Sequence, residues 1–194
     1  MKKIAVIFAF YWELRPLARL LDINFFKSLR PVVPAKDGYL VLAKSGMGAE
    51  NAGKTAEDII KDFKPDLMIS AGFCGGLSKD LKVGDVVVSD LEDRKLFCSP
   101  RPLFTCEEKT AAAQREGAII VDMESEAVSS AAKRHNVPFI AVKAVSDTLL
   151  DDLPRSFLQL LWPPRLLRLK KNVDLASRNL AEFLLDYINK GATR

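Results

Sequence analysis

The chain has 194 residues, of which 48% are hydrophobic and 28% charged, enough for one domain with a substantial core. Its net charge of +4, from 29 basic and 25 acidic residues, does not by itself indicate a nucleic-acid-binding protein, and no basic stripe interleaved with aromatic residues is present. Three cysteines without a Cys-x-x-Cys pair fit a reducing compartment, and no apolar run is long enough to cross a bilayer, so we predict a single cytoplasmic domain over residues 1–194.

Apolar runs of strand length alternate with helical patterns along the chain. The predicted strands are Ile4–Phe10, Tyr39–Ala43, Leu67–Ala71, Val83–Ser89, Ala118–Val121 and Phe139–Val145. The predicted helices are Ala49–Phe63, Glu124–His135 and Asp174–Ile188. The least regular region is Leu91–Thr105, where charged residues and two prolines interrupt any period. This alternation predicts an α/β fold.

Two acidic residues follow the ends of predicted apolar strands. Glu124 comes after Ala118–Val121, and Asp147 comes after Phe139–Val145. An acid at the carboxyl end of a buried strand lies where open α/β sheets hold their ligands, which predicts chemistry on a small molecule. The alternatives are that Glu124 is simply an acid favoured in the first turn of a helix, and that Asp147 is a loop or N-cap residue.

Glycines mark two further turns. Ser45-Gly46-Met47-Gly48 lies between a strand and a helix, where backbone amides can face an anion or a sugar hydroxyl. The alternative is a tight turn that needs positive φ. Gly72-Phe73-Cys74-Gly75-Gly76 follows the strand Leu67–Ala71, and its glycines would let another backbone or a flat ligand approach closely.

Four segments, in this order, resemble the nucleoside phosphorylase and nucleosidase superfamily, which includes purine nucleoside phosphorylases and methylthioadenosine/S-adenosylhomocysteine nucleosidases. They are the opening strand ending in Glu13, the Ser45–Gly48 turn, Ala71–Leu77 followed by Leu81–Asp90, and Val121–Ser125 with Ala144–Asp147. The resemblance implies a single α/β/α domain whose mixed central β-sheet is flanked by helices. It also implies a homo-oligomer that cleaves the N-glycosidic bond of an adenosine-type purine nucleoside and releases the free base.

The resemblance also implies a role for each matching residue. Asp147 is expected to be the acid for the departing purine, which requires that it be protonated or share a proton through a relay. Glu124 is expected to bind the ribose 2′- and 3′-hydroxyls, with Met123 against the sugar, and Glu13 is expected to orient the attacking water. Lys143 stands where the nucleosidases carry an arginine and is expected to hold Glu124 ionised. The remaining expected substrate contacts are Ser45, Gly46, Gly48, Gly72, Cys74, Gly75, Ser146 and Phe104. For Glu13, a solvated helix start is the alternative.

The connection from Asp90 to Gly117 departs from the usual nucleosidase pattern. It is shorter and lacks the Gly-Asp-x-Phe signature of their purine-binding loop. The stretch Thr105–Lys109 leading into Gly117–Ser125 is instead similar to the hopanoid-associated phosphorylases, which suggests an adenosyl-lipid as an alternative substrate. A second alternative is a non-catalytic nucleoside-binding protein of the same fold.

The sequence leaves the nucleophile open between water and inorganic phosphate. Glu13 favours water, as does the absence of the Gly-Asp-Pro-x-Arg phosphate loop of the hexameric phosphorylases. Arg15 and Arg30, with the Ser45–Gly48 amides, could instead bind phosphate as a co-substrate. We expect no other cofactor and no metal site, because one histidine and three scattered cysteines do not make a ligand set.

The segment 155–171 combines five basic residues with leucines and one tryptophan and contains no acidic residue. This composition is typical of a segment at a membrane interface. The favoured alternative is a helix and turn, broken at Pro163-Pro164, whose leucines pack into the core or a subunit interface.

Overall fold

The computed structural model describes residues 2–23, 32–35, 38–93, 95–154 and 163–191. The strands are β1 (Ile4–Phe8), β2 (Val32–Ala35), β3 (Leu40–Lys44), β4 (Leu67–Gly76), β5 (Val86–Ser89), β6 (Leu96–Cys98), β7 (Ile120–Asp122) and β8 (Phe139–Asp147). The helices are α1 (Tyr11–Leu20), α2 (Ala49–Phe63), α3 (Cys106–Glu116), α4 (Ser125–Arg134) and α5 (Pro163–Gly191).

These strands form one mixed sheet. Strands β3, β1, β4 and β8 run parallel in that order, and β2 and β5 pair antiparallel with the outer members β3 and β8. β7 pairs antiparallel with the end of β4, and β6 adds to β7 in parallel. The predicted α/β fold with a mixed central sheet is confirmed.

Strand β4 lies at the centre of the sheet and is shared by three neighbours. β8 pairs along one edge of β4 from Met68 to Gly75. The other edge carries β1 up to Ser70 and then β7 from Gly75 onwards. Between these two strands no described strand pairs with that edge, so the backbone of residues 71–74 opens towards a gap in the sheet.

Helices cover both faces of the sheet. The alternation of β1 sends Val6 and Phe8 into a core with α1 and α5, where Leu14, Leu180 and Leu184 are fully buried. Ala5 and Ile7 point to the opposite face and pack with α2 and α4. The parallel strands are thus buried on both faces, which is why they are continuous apolar runs in the sequence.

Two helices and two strands were not predicted. Helix α1 follows β1 after a two-residue connection and buries Leu14 and Leu17 despite the internal Pro16. Helix α3 begins at a capping box, in which Thr105 accepts from the Glu108 amide and Glu108 accepts from the Thr105 amide, each at 3.2 Å. Strand β2 and the three-residue strand β6 are too short for their patterns to be distinctive.

The C-terminal helix is longer than predicted. α5 begins at Pro163, which suits proline at a first helical position, and continues without a break beyond Lys171. Leu166 and Leu167 of this first part are 45% and 59% exposed. Residues 155–162 of the basic, leucine-rich segment lie outside the described residues, so its membrane or interface role stays a prediction. Among the helices that are described, none is both long and apolar enough to cross a membrane.

Candidate active site

The gap beside β4 opens into a cavity of about 250 Å³. Seven of the predicted site residues line it: Glu13, Cys74, Gly75, Met123, Glu124, Ser146 and Asp147. The three acidic residues come from the start of α1, the end of β7 and the end of β8, which are far apart in sequence. The fold therefore brings all three carboxyl groups to one cavity.

Glu13 occupies the gap itself. It is 3% exposed, and its two carboxyl oxygens accept hydrogen bonds from the backbone amides of Phe73 and Phe10, each at 2.8 Å. The Phe73 amide belongs to the part of β4 that has no described strand on the edge opposite β8, so Glu13 bonds there in place of a neighbouring strand. Burial outweighs these hydrogen bonds and raises the pKa of Glu13 to about 7. The alternative of a solvated helix start is wrong.

Two glycines of β4 make room for the acidic side chains. A Cβ atom at Gly72 would lie 2.8 Å from Glu13 Oε1, and the φ of +148° is one that side chains rarely tolerate. A Cβ at Gly75 would lie 3.1 Å from Val121 and 3.3 Å from Asp147 Oδ2. These glycines were predicted to let a backbone or a flat ligand approach closely. In the structure, the groups that approach them are side chains of the protein itself.

Glu124 is the N-cap residue of α4 and lies two residues after the end of β7. Its Oε1 accepts a hydrogen bond from the Gly48 amide at 2.8 Å, which joins it to the turn before α2. The predicted turn amide thus faces an anion, but that anion is a carboxylate of the chain. Ser45 bonds through its hydroxyl to the carbonyls of Phe8 and Gly46.

Ser45, Gly46, Gly48 and Gly72 do not line the cavity, in contrast to the prediction of direct substrate contacts. The reason is that the turn packs behind Glu124 and that Gly72 packs behind Glu13. Met47 of the same turn does line the cavity and is 53% exposed.

A buried pair formed by Lys143 and Asp122 lies at the wall of the cavity, which Asp122 lines. Lys143 Nζ is 2.8 Å from Asp122 Oδ2 and 3.1 Å from Ser70 Oγ. Burial opposes the charge on Lys143, but attraction to Asp122 prevails and raises the pKa of the lysine. Burial likewise opposes the charge on Asp122, but attraction to Lys143 prevails and lowers the pKa of that acid. Lys143 was expected to hold Glu124 ionised by charge pairing. In the structure its direct partner is Asp122, and Glu124 attracts it from farther away.

Asp147 ends β8 beside Gly75 of β4 and is 6% exposed. Its Oδ1 accepts from the Ser146 hydroxyl at 2.7 Å, and its Oδ2 accepts from Lys109 Nζ at 2.5 Å. Asp147 therefore lies at the edge of the cavity with a hydroxyl donor on one oxygen and a cation on the other.

Sequence reasoning missed Lys109, although it is fully buried and lines the cavity. Two features of the sequence point to it in retrospect. The Thr105-x-x-Glu108 pattern starts a helix, and in that helix Lys109 shares a face with Ala112 and Ala113, which is unusual for a solvated lysine.

Phe104 was predicted to contact the purine, but it does not line the cavity. Its amide is bonded to Glu108 Oε2 and its carbonyl accepts from the Leu153 amide, so its backbone belongs to the start of α3. Pro102 and Leu103 form the wall of the cavity at this place.

The chain is similar in sequence or in fold to several known proteins. A model of the phosphorylase superfamily matches residues 3–92 and 93–189. A 5′-methylthioadenosine/S-adenosylhomocysteine nucleosidase of Staphylococcus aureus is 28% identical, in an alignment covering 63% of this chain and 74% of the relative. The Helicobacter pylori nucleosidase of the same name, solved with butyl-thio-DADMe-Immucillin-A, has a TM-score of 0.78 at 16% identity and covers 98% of this chain and 99% of its own.

A second activity occurs among the proteins with this fold. The futalosine hydrolase of Helicobacter pylori has a TM-score of 0.76 at 15% identity, with 97% of this chain and 98% of that chain covered. At such identities the two solved structures establish a common fold over nearly the whole of each chain.

Proposed function

Because the chain belongs to the phosphorylase superfamily, we propose that it hydrolyses the N-glycosidic bond of an adenosine-type purine nucleoside and releases the free base. The observation that carries this proposal is the convergence of Glu13, Glu124 and Asp147 on one cavity. The nucleosidase that is similar in sequence and the two enzymes that are similar in fold support the same reaction class.

The two ends of the cavity lie at different positions along strand β4. Glu13 is bonded to the amide of Phe73, whereas Asp147 lies beside Gly75, two residues further along the strand. At about 3.3 Å per residue this is roughly 7 Å, enough to keep ribose chemistry apart from the contacts with the base. We assign the Glu13 and Glu124 end to the ribose and the Asp147 end to the purine.

At the purine end, Asp147 meets the leaving base. As the glycosidic bond breaks, its electron pair departs with the purine, and negative charge develops on the ring. In its protonated form the Asp147 carboxyl can hydrogen-bond to the exocyclic and five-membered-ring nitrogens of an adenine and pass its proton to the ring, which leaves a carboxylate beside Lys109. This contact favours a purine over a pyrimidine leaving group.

At the ribose end, positive charge develops on the sugar as the bond breaks, and carboxylates can stabilise that charge. Glu124 can accept hydrogen bonds from two neighbouring hydroxyls, and its negative charge favours the oxocarbenium character that builds on the sugar. Glu13 accepts a proton from water as the water oxygen bonds to the anomeric carbon. A pKa of about 7 suits a general base that works near neutrality.

Water is a better nucleophile for this cavity than phosphate. In the part of the chain that the structure describes, the cations lining the cavity are Arg101 and Lys109. Arg101 is exposed and bonded to Glu108, and Lys109 is bonded to Asp147. Arg15 is exposed outside the cavity lining, and Arg30 lies outside the described residues. Two carboxylates at the ribose end would repel a phosphate dianion.

The ribose end also has an apolar rim. Trp12 and Met47 line the cavity and are 52% and 53% exposed, and Trp12 is stacked on Phe10 with ring centroids 4.5 Å apart. Trp12 adjoins Glu13, and Met47 adjoins Gly48, whose amide bonds to Glu124. We therefore propose that an apolar group on the sugar packs against Trp12 and Met47. The substrate class is then an adenosine with an apolar 5′-substituent.

The experiment is release of free base from adenosine, inosine and methylthioadenosine, each with and without phosphate. We expect phosphate-independent release, fastest with methylthioadenosine. Release that requires phosphate would make the protein a phosphorylase. No release from any nucleoside would contradict the proposal and favour a binding protein of the same fold.

A further inference from the structure

Lys109 is a buried cation at the Asp147 end of the cavity. Its side chain is 1% exposed. Its Nζ donates to Asp147 Oδ2 at 2.5 Å and to the carbonyl oxygens of Thr148 and Asp151, each at 2.8 Å. An ammonium group has three N–H donors, so these three acceptors occupy all of them. Lys109 therefore has one fixed position relative to Asp147.

The two oxygens of Asp147 have different donors. Oδ1 accepts from the Ser146 hydroxyl, and Oδ2 accepts from Lys109. A carboxyl group with a donor on each oxygen is held in one orientation. Lys109 directly faces this buried carboxyl group, so it offsets the cost of the charge that Asp147 gains when it passes its proton to the purine.

We propose that Lys109 is a positioning residue for base release. It holds Asp147 in the orientation that meets the purine, and it fixes a positive charge on the side of the cavity towards which negative charge moves. The inference rests on the proposed cleavage of a nucleoside. When the C1′–N9 bond breaks, its electron pair leaves with the purine, so a fixed cation one carboxyl group away stabilises the transition state more than the bound nucleoside.

A purely structural role is the competing explanation. Lys109 ties α3 to the loop that contains Thr148 and Asp151, so its loss could simply loosen that loop. A structural tie would change the melting temperature but leave kcat of the folded protein unchanged, and it would not distinguish a charged from an uncharged replacement. A positioning role changes kcat more than KM, and it depends on the positive charge.

Two variants separate these explanations. Lys109→Gln keeps a donor but removes the charge, and Lys109→Arg keeps the charge. Lys133→Gln, an exposed lysine on α4, is the matched control for the loss of one charge. The measurements are kcat and KM for base release and the thermal transition of each protein.

We expect kcat of Lys109→Gln to fall about 100-fold, with KM within about threefold of wild type. The kcat of Lys109→Arg should stay within about tenfold of wild type. The Lys133→Gln control should match wild type. A folded Lys109→Gln protein with kcat within about threefold of wild type would overturn the proposal, as would an equal loss in Lys109→Gln and Lys109→Arg. Base release by the wild type tests the proposed function separately, because these variant ratios have meaning only once it is observed.

If Lys109→Gln shows no cooperative thermal transition, Lys109→Arg decides alone. A kcat about three- to tenfold below wild type with an unchanged KM then supports the positioning role, because a structural tie would leave kcat unchanged. A kcat equal to that of wild type, or a loss of more than about tenfold in the folded protein, overturns it.

Discussion

The carboxyl groups of Glu13 and Asp147 meet the same strand, β4, two residues apart. Glu13 accepts a hydrogen bond from the Phe73 amide, and Asp147 lies against Gly75. The first acid fills the gap left where β1 ends, and the second ends the strand that pairs with the opposite edge of β4. A single strand thus fixes the separation between the acid expected to act on water and the acid expected to act on the base.

The Asp147→Asn variant tests the acid at the purine end. An amide cannot supply a carboxyl proton, so we expect kcat for base release to fall by about 100-fold or more. The thermal transition should stay cooperative, because asparagine has nearly the same shape. Asp62→Asn, at an exposed position on α2, is the control. Full turnover by Asp147→Asn would mean that another group protonates the base.

Gly72→Ala tests the packing of Glu13 against β4. The new Cβ would lie 2.8 Å from Glu13 Oε1, so the carboxylate must move away from the Phe73 amide. We expect a loss of stability of about 1–3 kcal/mol in urea denaturation, together with at least a tenfold loss of kcat. Gly53→Ala in α2, where the nearest atom is 3.6 Å away, should be neutral or stabilising. Wild-type activity in Gly72→Ala would show that the position of Glu13 is unimportant.

The pH dependence of kcat/KM tests the role of Glu13 as a base. Burial raises its pKa to about 7, and only the ionised form can accept a proton from water. In the wild type we therefore expect kcat/KM to rise with pH and to reach half of its plateau near pH 7. Glu13→Gln should have much lower activity without this rise. A wild-type profile that is flat between about pH 5 and about pH 8 would rule out this role.

Lys143→Met tests the buried pair of Lys143 and Asp122 at the cavity wall. The change leaves Asp122 without its cation in a site that excludes water, and we expect a loss of about 3–5 kcal/mol in the free energy of unfolding. Lys133→Met at an exposed position should change this free energy by less than about 0.5 kcal/mol. An equally small change in Lys143→Met would show that the pair contributes little to stability.

The sequence predicted the centre of this fold better than its edges. Strands β1, β4 and β8 are buried on both faces and therefore appear as continuous apolar runs. Helix α1 was missed because aromatic residues and Pro16 interrupt its period, and α3 was missed because its alanines and charged residues give no clear apolar stripe. These two helices carry Glu13 and Lys109, so the errors fell at the cavity.

The place of Asp147 was predictable because β8 runs parallel to β4 and topology brings the ends of parallel strands together. Glu124 follows β7, which runs antiparallel to β4, so its approach to the same cavity does not follow from that rule. The pairing of Lys109 with Asp147 was not, since the two residues are 38 positions apart and their contact depends on how α3 packs. The similarity to hopanoid-associated phosphorylases, the homo-oligomeric state, the cytoplasmic location and the absence of a cofactor stay predictions.

We propose that the carboxyl groups of Glu13, Glu124 and Asp147 surround one nucleoside. A crystal structure of Asp147→Asn soaked with methylthioadenosine tests it most directly, because the slowed variant should retain its substrate. We predict the ribose hydroxyls in hydrogen-bond contact with Glu124, the anomeric carbon facing Glu13 across one water, and the purine against residue 147. A nucleoside bound away from this cavity, or bound with its base next to Glu13, would contradict the account.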